Sequence, residues 1–175
     1  MDSDREQKWE EVPCNLCGSR DYRVKIRPWV HDFDPAAILS ASGGIRGTQR
    51  IVICTRCGLQ YVNPRLRSGH IISAYRQAVD ELYAEAGPGR LATFRRGLGL
   101  VEKFAPKRGR LLDVGCACGF FLRAAQDAGW AAEGVEPSQW SADYGRRKLG
   151  LKIAAGTLQE AQFPEASFDA VTMWD

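Results

Sequence analysis

The sequence predicts an α/β chain: a small β module held by paired cysteine turns, followed by the opening strands of a doubly wound parallel sheet. Three observations carry that expectation. Cys14-Asn15-Leu16-Cys17-Gly18 and Cys54-Thr55-Arg56-Cys57-Gly58 repeat one Cys-x-x-Cys-Gly pattern. The stretch Leu111-Leu112-Asp113-Val114-Gly115-Cys116-Ala117-Cys118-Gly119-Phe120-Phe121-Leu122 joins an apolar run, a glycine turn and a helix start. From there to residue 175, strand-like and helix-like segments alternate, as parallel strands linked by crossover helices require.

Composition sets the bounds. A chain of 175 residues is one ordinary domain plus a small module, or a piece of something longer. Hydrophobic content of 45% and charged content of 26% are those of a soluble globular protein. No apolar run approaches the ~20 residues of a membrane span. The N-terminus, Met-Asp-Ser-Asp-Arg-Glu-Gln-Lys, is charged and lacks an apolar signal core, so a cytoplasmic location is expected. The net charge of +3 is slight, and four thiolates around a zinc ion would bring it near neutrality. Nucleic acid, which leaves a stronger basic footprint, is therefore not the expected partner.

The module is expected over residues 1–66, with residues 1–12 frayed. In each Cys-x-x-Cys-Gly turn, two intervening residues let one tight turn present both sulfurs to one ion. The trailing glycine accommodates a positive φ while backbone N–H groups point at the sulfurs. Cys14, Cys17, Cys54 and Cys57 would thus form a closed tetrahedral zinc site, structural rather than catalytic. Two redox pairs are the rival reading, but neither pair opens a helix behind a strand. The spacer of 36 residues between the turns exceeds the usual ribbon range, so an elaborated hairpin is expected. It holds an alternating strand, Asp21 to Arg27, and a glycine-rich loop, Ser40 to Gly47. Strands are also expected from Gln49 to Cys54 and Leu59 to Val62, flanking the second turn. With four cysteines at hand, His31 is assigned to packing or a loop.

Residues 67–106 are expected to be a helical cover. Ser68 is placed to cap a helix carrying Ile71, Ile72, Tyr75, Val79 and Leu82 at helical spacing. Ala86-Gly87-Pro88-Gly89 reads as a break. Leu91, Phe94, Leu98, Val101 and Phe104 then form an apolar stripe suited to a helix lying on a sheet. The arginines and lysines of this stretch, Arg90 among them, read as a solvated helix face.

Residues 107–175 are expected to hold the sheet. Leu111, Leu112 and Val114 lack alternation, as a strand covered on both faces requires. The helix behind them runs from about Phe120 to Ala128, with Gly129 suited to its C′ position. A dinucleotide fingerprint would need glycine at Ala117 and Phe120, and no Gly-Lys-Ser/Thr follows for a Walker loop. What remains is an acid at the strand end, Asp113, before Gly-x-x-x-Gly, which suits a ligand with a cationic amino acid portion. A second acid, Glu136, follows 23 residues later at the end of the next strand, near the offset at which an acid meets ribose hydroxyls. Ser138 to Leu149 reads as a helix closed by Gly150, Leu151 to Ala154 as a third strand, and Phe168 to Trp174 as a fourth.

These segments resemble class I S-adenosylmethionine-dependent methyltransferases. Leu111 to Leu122, Gly134-Val135-Glu136-Pro137-Ser138 and Phe168 to Asp175 are similar to the family's motif I, post-I and fourth-strand segments, in order. Ala117 stands where that family often has glycine. The order of second cysteine turn, Cys-Gly-Leu-Gln-Tyr-Val-Asn-Pro and tyrosine-bearing helix resembles bacterial members with an N-terminal zinc-binding segment, many thought to act on sugars or other small metabolites. The resemblance implies a Rossmann-like sheet and S-adenosylmethionine as cofactor. Asp113 would meet the methionine amino group; Gly115, Cys116 and Gly119 would floor the methionine portion. Glu136 would hold the ribose, and Pro137, Thr157 and Leu158 would border adenine. Many relatives have an acid where Thr157 stands, so its side-chain role is left open. No general base is assigned.

Against this family the chain is expected to be C-terminally incomplete, holding the first four strands. A further segment, self-association or another partner would then cover the open fourth-strand edge. The expected acceptor is a small molecule. An RNA methyltransferase gripping its substrate with the zinc module, and a non-catalytic zinc-ribbon or cofactor-binding protein, are the rival readings.

Overall fold

The computed structural model describes residues 8–28 and 49–174. The Ser40–Gly47 loop, His31 and the start of the expected frayed N-terminus fall outside the described residues. The chain divides into two compact units, one reaching to Ala74 and the other running from Tyr75. Among the described residues no helix is long and apolar enough to cross a membrane.

The first unit is built of two small sheets. Strands β2 (Tyr22–Ile26), β3 (Ile51–Cys54) and β4 (Gln60–Val62) form an antiparallel sheet in that order. Cys54 pairs with Tyr22, and Ile51 with Val62. Central β3 buries Val52 completely, which explains why its sequence is the most apolar of the three. The expected strands are therefore present. The expected fraying through residue 12 is not: β1 (Trp9–Glu10) pairs antiparallel with β5 (Arg65–Leu66). Buried Asn63, before a cis peptide bond to Pro64, ties this second sheet to the first. Its side chain accepts from the Val12 amide at 2.9 Å and donates to Glu11 at 3.2 Å.

Helix α1 (Ser68–Gln77) ends before Val79 and Leu82, the last apolar positions of the expected helix. A break at Ala78–Asp80 follows, and Asp80 caps a second short helix, α2 (Glu81–Glu85), by accepting from the Tyr83 amide. The expected single helix is thus two, because the Asp80 carboxylate supplies a new N-cap within the periodic pattern. Val79 and Leu82 are exposed. Of the expected break at Ala86-Gly87-Pro88-Gly89, Ala86 does separate two helices, and the rest is the first turn of α3 (Gly87–Phe104), where proline lacks only an N–H that a helix start leaves unpaired anyway. Of the apolar stripe on α3, Leu98 is buried and Phe94 and Val101 pack against the core, but Phe104 is 90% exposed.

The second unit carries a parallel sheet in the order β8-β7-β6-β9. Its strands are β6 (Arg110–Val114), β7 (Ala131–Glu136), β8 (Ile153–Ala155) and β9 (Ala170–Thr172). Crossovers α4 (Phe120–Asp127), α5 (Gln139–Leu149) and α6 (Leu158–Ala161) join them. Gly150 closes α5 in the left-handed conformation. The third strand starts two residues later than expected, and the fourth is confined to three residues. The core lies between β6, β7, α3 and α4, with Leu111, Leu122, Ala125 and Phe121 almost wholly buried. Phe94, Phe121 and Trp174 pack as an aromatic group, the last two with centroids 5.0 Å apart. β9 is the sheet edge beyond β6, and Val171 and Met173 lie exposed on and beside it.

Candidate functional site

The strand order reverses at β6. Successive strands step outward through β7 to β8, and then β9 pairs on the other side of β6. Such a reversal opens a crevice at the carboxyl ends of the strands, where doubly wound sheets take their ligands. Asp113 lies near the end of β6 at this point, and Glu136 ends the neighbouring β7.

The glycine turn from Gly115 to Gly119 is clamped to β7. The Gly115 and Cys116 amides donate to the Val135 carbonyl, and the Ala117 amide donates to Glu136 Oε2 at 2.8 Å. The Gly119 amide closes the turn on the Cys116 carbonyl. Gly119 has φ +84°, and a Cβ there would lie 2.4 Å from Leu151 Cδ1, so both turn and packing require glycine. Gly115 also has positive φ, but open space lies where its Cβ would be. Ala117 adopts φ +47°, left-handed territory for a residue with a side chain. Because these four amides already have acceptors inside the fold, the turn is not a phosphate cradle, in agreement with the missing dinucleotide fingerprint.

Two acids meet beside this turn. Asp113 is 2% exposed and accepts a hydrogen bond at Oδ1 from Thr172 Oγ1 at 2.8 Å. Glu136 is 6% exposed; besides the Ala117 amide, it accepts from the Ser138 amide at Oε1, 2.8 Å. Burial pushes the Asp113 carboxyl up to about 7 against the pull of the Thr172 hydroxyl, with a smaller push from the Glu136 charge. Burial also raises Glu136, opposed by its two amide donors. Neither acid has an ion-pair partner among the described residues. Two adjoining buried carboxylates without a cation are costly by themselves and suit a positively charged ligand.

The other expected site residues vary in placement. Cys116 is buried and its thiol raised, chiefly by desolvation, so it lines the turn as an inert small residue. Pro137 follows Glu136 directly and is half-buried. Thr157 is the N-cap of α6, with its hydroxyl and amide engaged in a capping box with Glu160. Leu158 is exposed in the first turn of that helix. Tyr83 is buried and stacks on Phe120 with centroids 5.8 Å apart.

By sequence Arg90 belongs to a solvated basic face, and the structure places it otherwise. Its guanidinium carbon lies 3.6 Å from the Tyr83 ring centroid, and its buried Nε lacks a hydrogen-bond partner among the described residues. Tyr83 in turn feels the charges of both Arg90 and Asp113, so all three border one region. Tyr83 and Arg90 stand seven apart in sequence, on the two helices that meet at Ala86.

In the first unit, the sulfurs of Cys14, Cys17, Cys54 and Cys57 all lie within 4.8 Å of one another. Cys14 and Cys57 are 3.5 Å apart, and Cys17 and Cys54 3.6 Å. Tetrahedral Zn–S bonds of about 2.3 Å place sulfurs about 3.8 Å apart, so the four thiols fit that ion. Gly18 and Gly58 have positive φ and return their amides to the Cys14 and Cys54 carbonyls, which forms the two matching turns. The Cys54 thiol is held down to about 6, first by the Cys57 backbone N–H and then, against burial, by that of Arg56 and by its neighbouring thiols.

A family model described as a methyltransferase domain matches residues 83–175, a little over half of the chain. The chain belongs to this methyltransferase family. No curated protein sequence matches it. Among solved structures, this methyltransferase chain is similar to DesVI of Streptomyces venezuelae, at 22% identity and a TM-score of 0.45 over 54% of this chain and 41% of that one. It is also similar to SAM-bound CalS10, an amino pentose methyltransferase from Micromonospora echinaspora involved in calicheamicin biosynthesis. That match has 28% identity and a TM-score of 0.44 over 54% of this chain and 42% of that chain. The methyltransferase chain thus spans about two-fifths of the length of these two structures.

Proposed function

We propose that this chain binds S-adenosylmethionine and serves methyl transfer to a small-molecule acceptor, a sugar or related metabolite. The observation that carries the reading is the pair of buried, cation-free carboxylates, Asp113 and Glu136, flanking the open face of Gly115. When bound, the cofactor supplies a methyl group on a sulfonium, which an acceptor nucleophile displaces in line.

The chain's own residues would hold and orient. Asp113 accepts from the ammonium of the methionine portion, and the bare face of Gly115 admits that portion closely. Cys116 and Gly119 shape the turn beneath it. Glu136 retains lone pairs beyond its two amide bonds for the ribose hydroxyls. Pro137 and Leu158 border the base, and Thr157 contributes through the helix it caps rather than by its hydroxyl. Arg90 offers its unpaired Nε to the carboxylate of the methionine portion, a charge-assisted contact for a donor that is costly left unmade. Positioning of this kind is most of what a methyl transfer needs, since the leaving group is already activated. The small-molecule acceptor rests on the likeness of the cysteine-bearing segment to sugar- and metabolite-modifying members. Zinc at Cys14, Cys17, Cys54 and Cys57 would be structural, because four thiolates leave no open position.

Calorimetric titration of S-adenosylmethionine into the zinc-loaded 175-residue chain tests this reading, with Glu136→Ala as control. Binding that the substitution weakens by about 1–3 kcal/mol, the order for a hydrogen bond to a charged group, is expected. A folded chain that takes up none of the cofactor would overturn it.

A further inference from the structure

Thr172 lies at the end of β9, on the far side of the sheet's reversal from Glu136. The parallel register pairs Leu111 with Ala170, Leu112 with Val171 and Asp113 with Thr172. That register delivers the threonine hydroxyl to the acid. Thr172 Oγ1 donates to Asp113 Oδ1 at 2.8 Å, with a second, longer approach to the Leu112 carbonyl at 3.4 Å. A hydroxyl has one proton, so the shorter contact to the carboxylate takes it. Oδ1 is therefore occupied from the β9 side, and Oδ2 has no protein partner among the described residues.

We propose that Thr172 is a positioning residue that fixes the Asp113 carboxylate, occupying Oδ1 and leaving Oδ2 to receive the cofactor's ammonium. The proposal rests on the S-adenosylmethionine reading given above. Three features of the site make such a brace necessary. Asp113 is buried with Glu136 as its charged neighbour, and no arginine or lysine pairs with it among the described residues. A carboxylate in that setting has strong reason to take up a proton, and a protonated acid cannot accept from an ammonium at full strength. The groups facing it are Glu136 from β7, Thr172 from β9, Cys116 from the glycine turn and Tyr83 from α2, with Arg90 of α3 against that ring. Of these, the Thr172 hydroxyl is the one that lowers the acid's affinity for its proton. Valine at 172 would keep the β-branched shape of the strand and remove only the donor, whereas serine would keep the donor.

The test compares wild-type chain, Thr172→Val and Thr172→Ser in two measurements. Titration with S-adenosylmethionine between pH 6 and 9 should show wild-type affinity rising through about pH 7. Thr172→Val should bind roughly tenfold more weakly at pH 7, the order for losing one hydrogen bond to a charged group. Its affinity should also rise only at higher pH, and Thr172→Ser should restore both properties. Carboxyl-carbon NMR of the ligand-free chain should show Asp113 titrating at higher pH in Thr172→Val than in wild type. Unchanged affinity, or an unchanged Asp113 titration, in a folded Thr172→Val chain would overturn the inference while leaving the cofactor reading intact. Failure of the wild-type chain to bind would overturn the cofactor reading and remove the ligand from this inference together.

Discussion

Asp113 is a carboxylate only 2% exposed, with the charge of Glu136 beside it and no ion-pair partner among the described residues. Its carboxyl is raised to about 7 by burial, so the folded chain holds a proton there that the unfolded chain releases near the ordinary value of 3.8. The sign follows from proton counting. Between about pH 4 and 7 the native state binds more protons, so this group's contribution to stability falls as pH rises through that window and stays low above it. Each unit of raised pKa corresponds to about 1.4 kcal/mol, so the effect is a few kcal/mol at most. Denaturant unfolding of ligand-free chain at pH 6 and pH 8 should show the greater stability at pH 6, and Asp113→Asn should flatten the difference. Saturating S-adenosylmethionine should also reduce it, because the cation favours the ionised acid. Ala117, a few residues away, sits at positive φ without the glycine that such a conformation favours. Its amide donation to Glu136 is what holds it there.

Among the elements, the β7–α5 connection does several things with one serine. Ser138 caps α5 by accepting from the Ser141 amide, and its own amide donates to Glu136. Its hydroxyl then donates at 2.8 Å to the Ala78 carbonyl, in the break between α1 and α2. The helix cap, the Glu136 carboxylate and the helical break are thus joined through a buried residue. Ser138→Ala should destabilise the chain by about 1–2 kcal/mol in chemical denaturation, a cap's usual worth, and leave the half-buried Ala78 carbonyl without its donor. Ser138→Thr, which keeps the hydroxyl, should recover most of that loss. The break itself was hidden in the sequence because Ile71, Tyr75, Val79 and Leu82 keep helical spacing across it. Asp80 ends the run by a local cap, which spacing of apolar residues does not report.

On the scale of the whole molecule, the two units differ in what holds them. The second buries a continuous core under a parallel sheet, whereas the described residues of the first form short strands with few wholly buried apolar side chains, Val52 chief among them. A module of that size usually needs a metal or cross-links. Purified chain should therefore carry one zinc per molecule by elemental analysis. Removing it with a strong chelator should abolish hydrogen-exchange protection in β2, β3 and β4 while β6 and β7 keep theirs. Protection of the first unit that survives complete metal removal would count against the zinc assignment.

The sequence by itself determined the elements whose signals are local. Strand β6, the glycine turn, α4, β7 and the matched Cys-x-x-Cys-Gly turns all follow from apolar runs, glycine positions and caps within a few residues. The two acids were legible for the same reason, since each ends an apolar strand at a recognisable offset. Tertiary structure alone decided what depends on residues far apart in the chain. It set Thr172 against Asp113 across 59 positions through the β9 register, and folded Arg90 onto Tyr83. It also paired β1 with β5 and left Phe104 outside the core that its spacing had promised. Local propensity reports which face a residue can present. Only the packing of distant strands and helices fixes what that face meets.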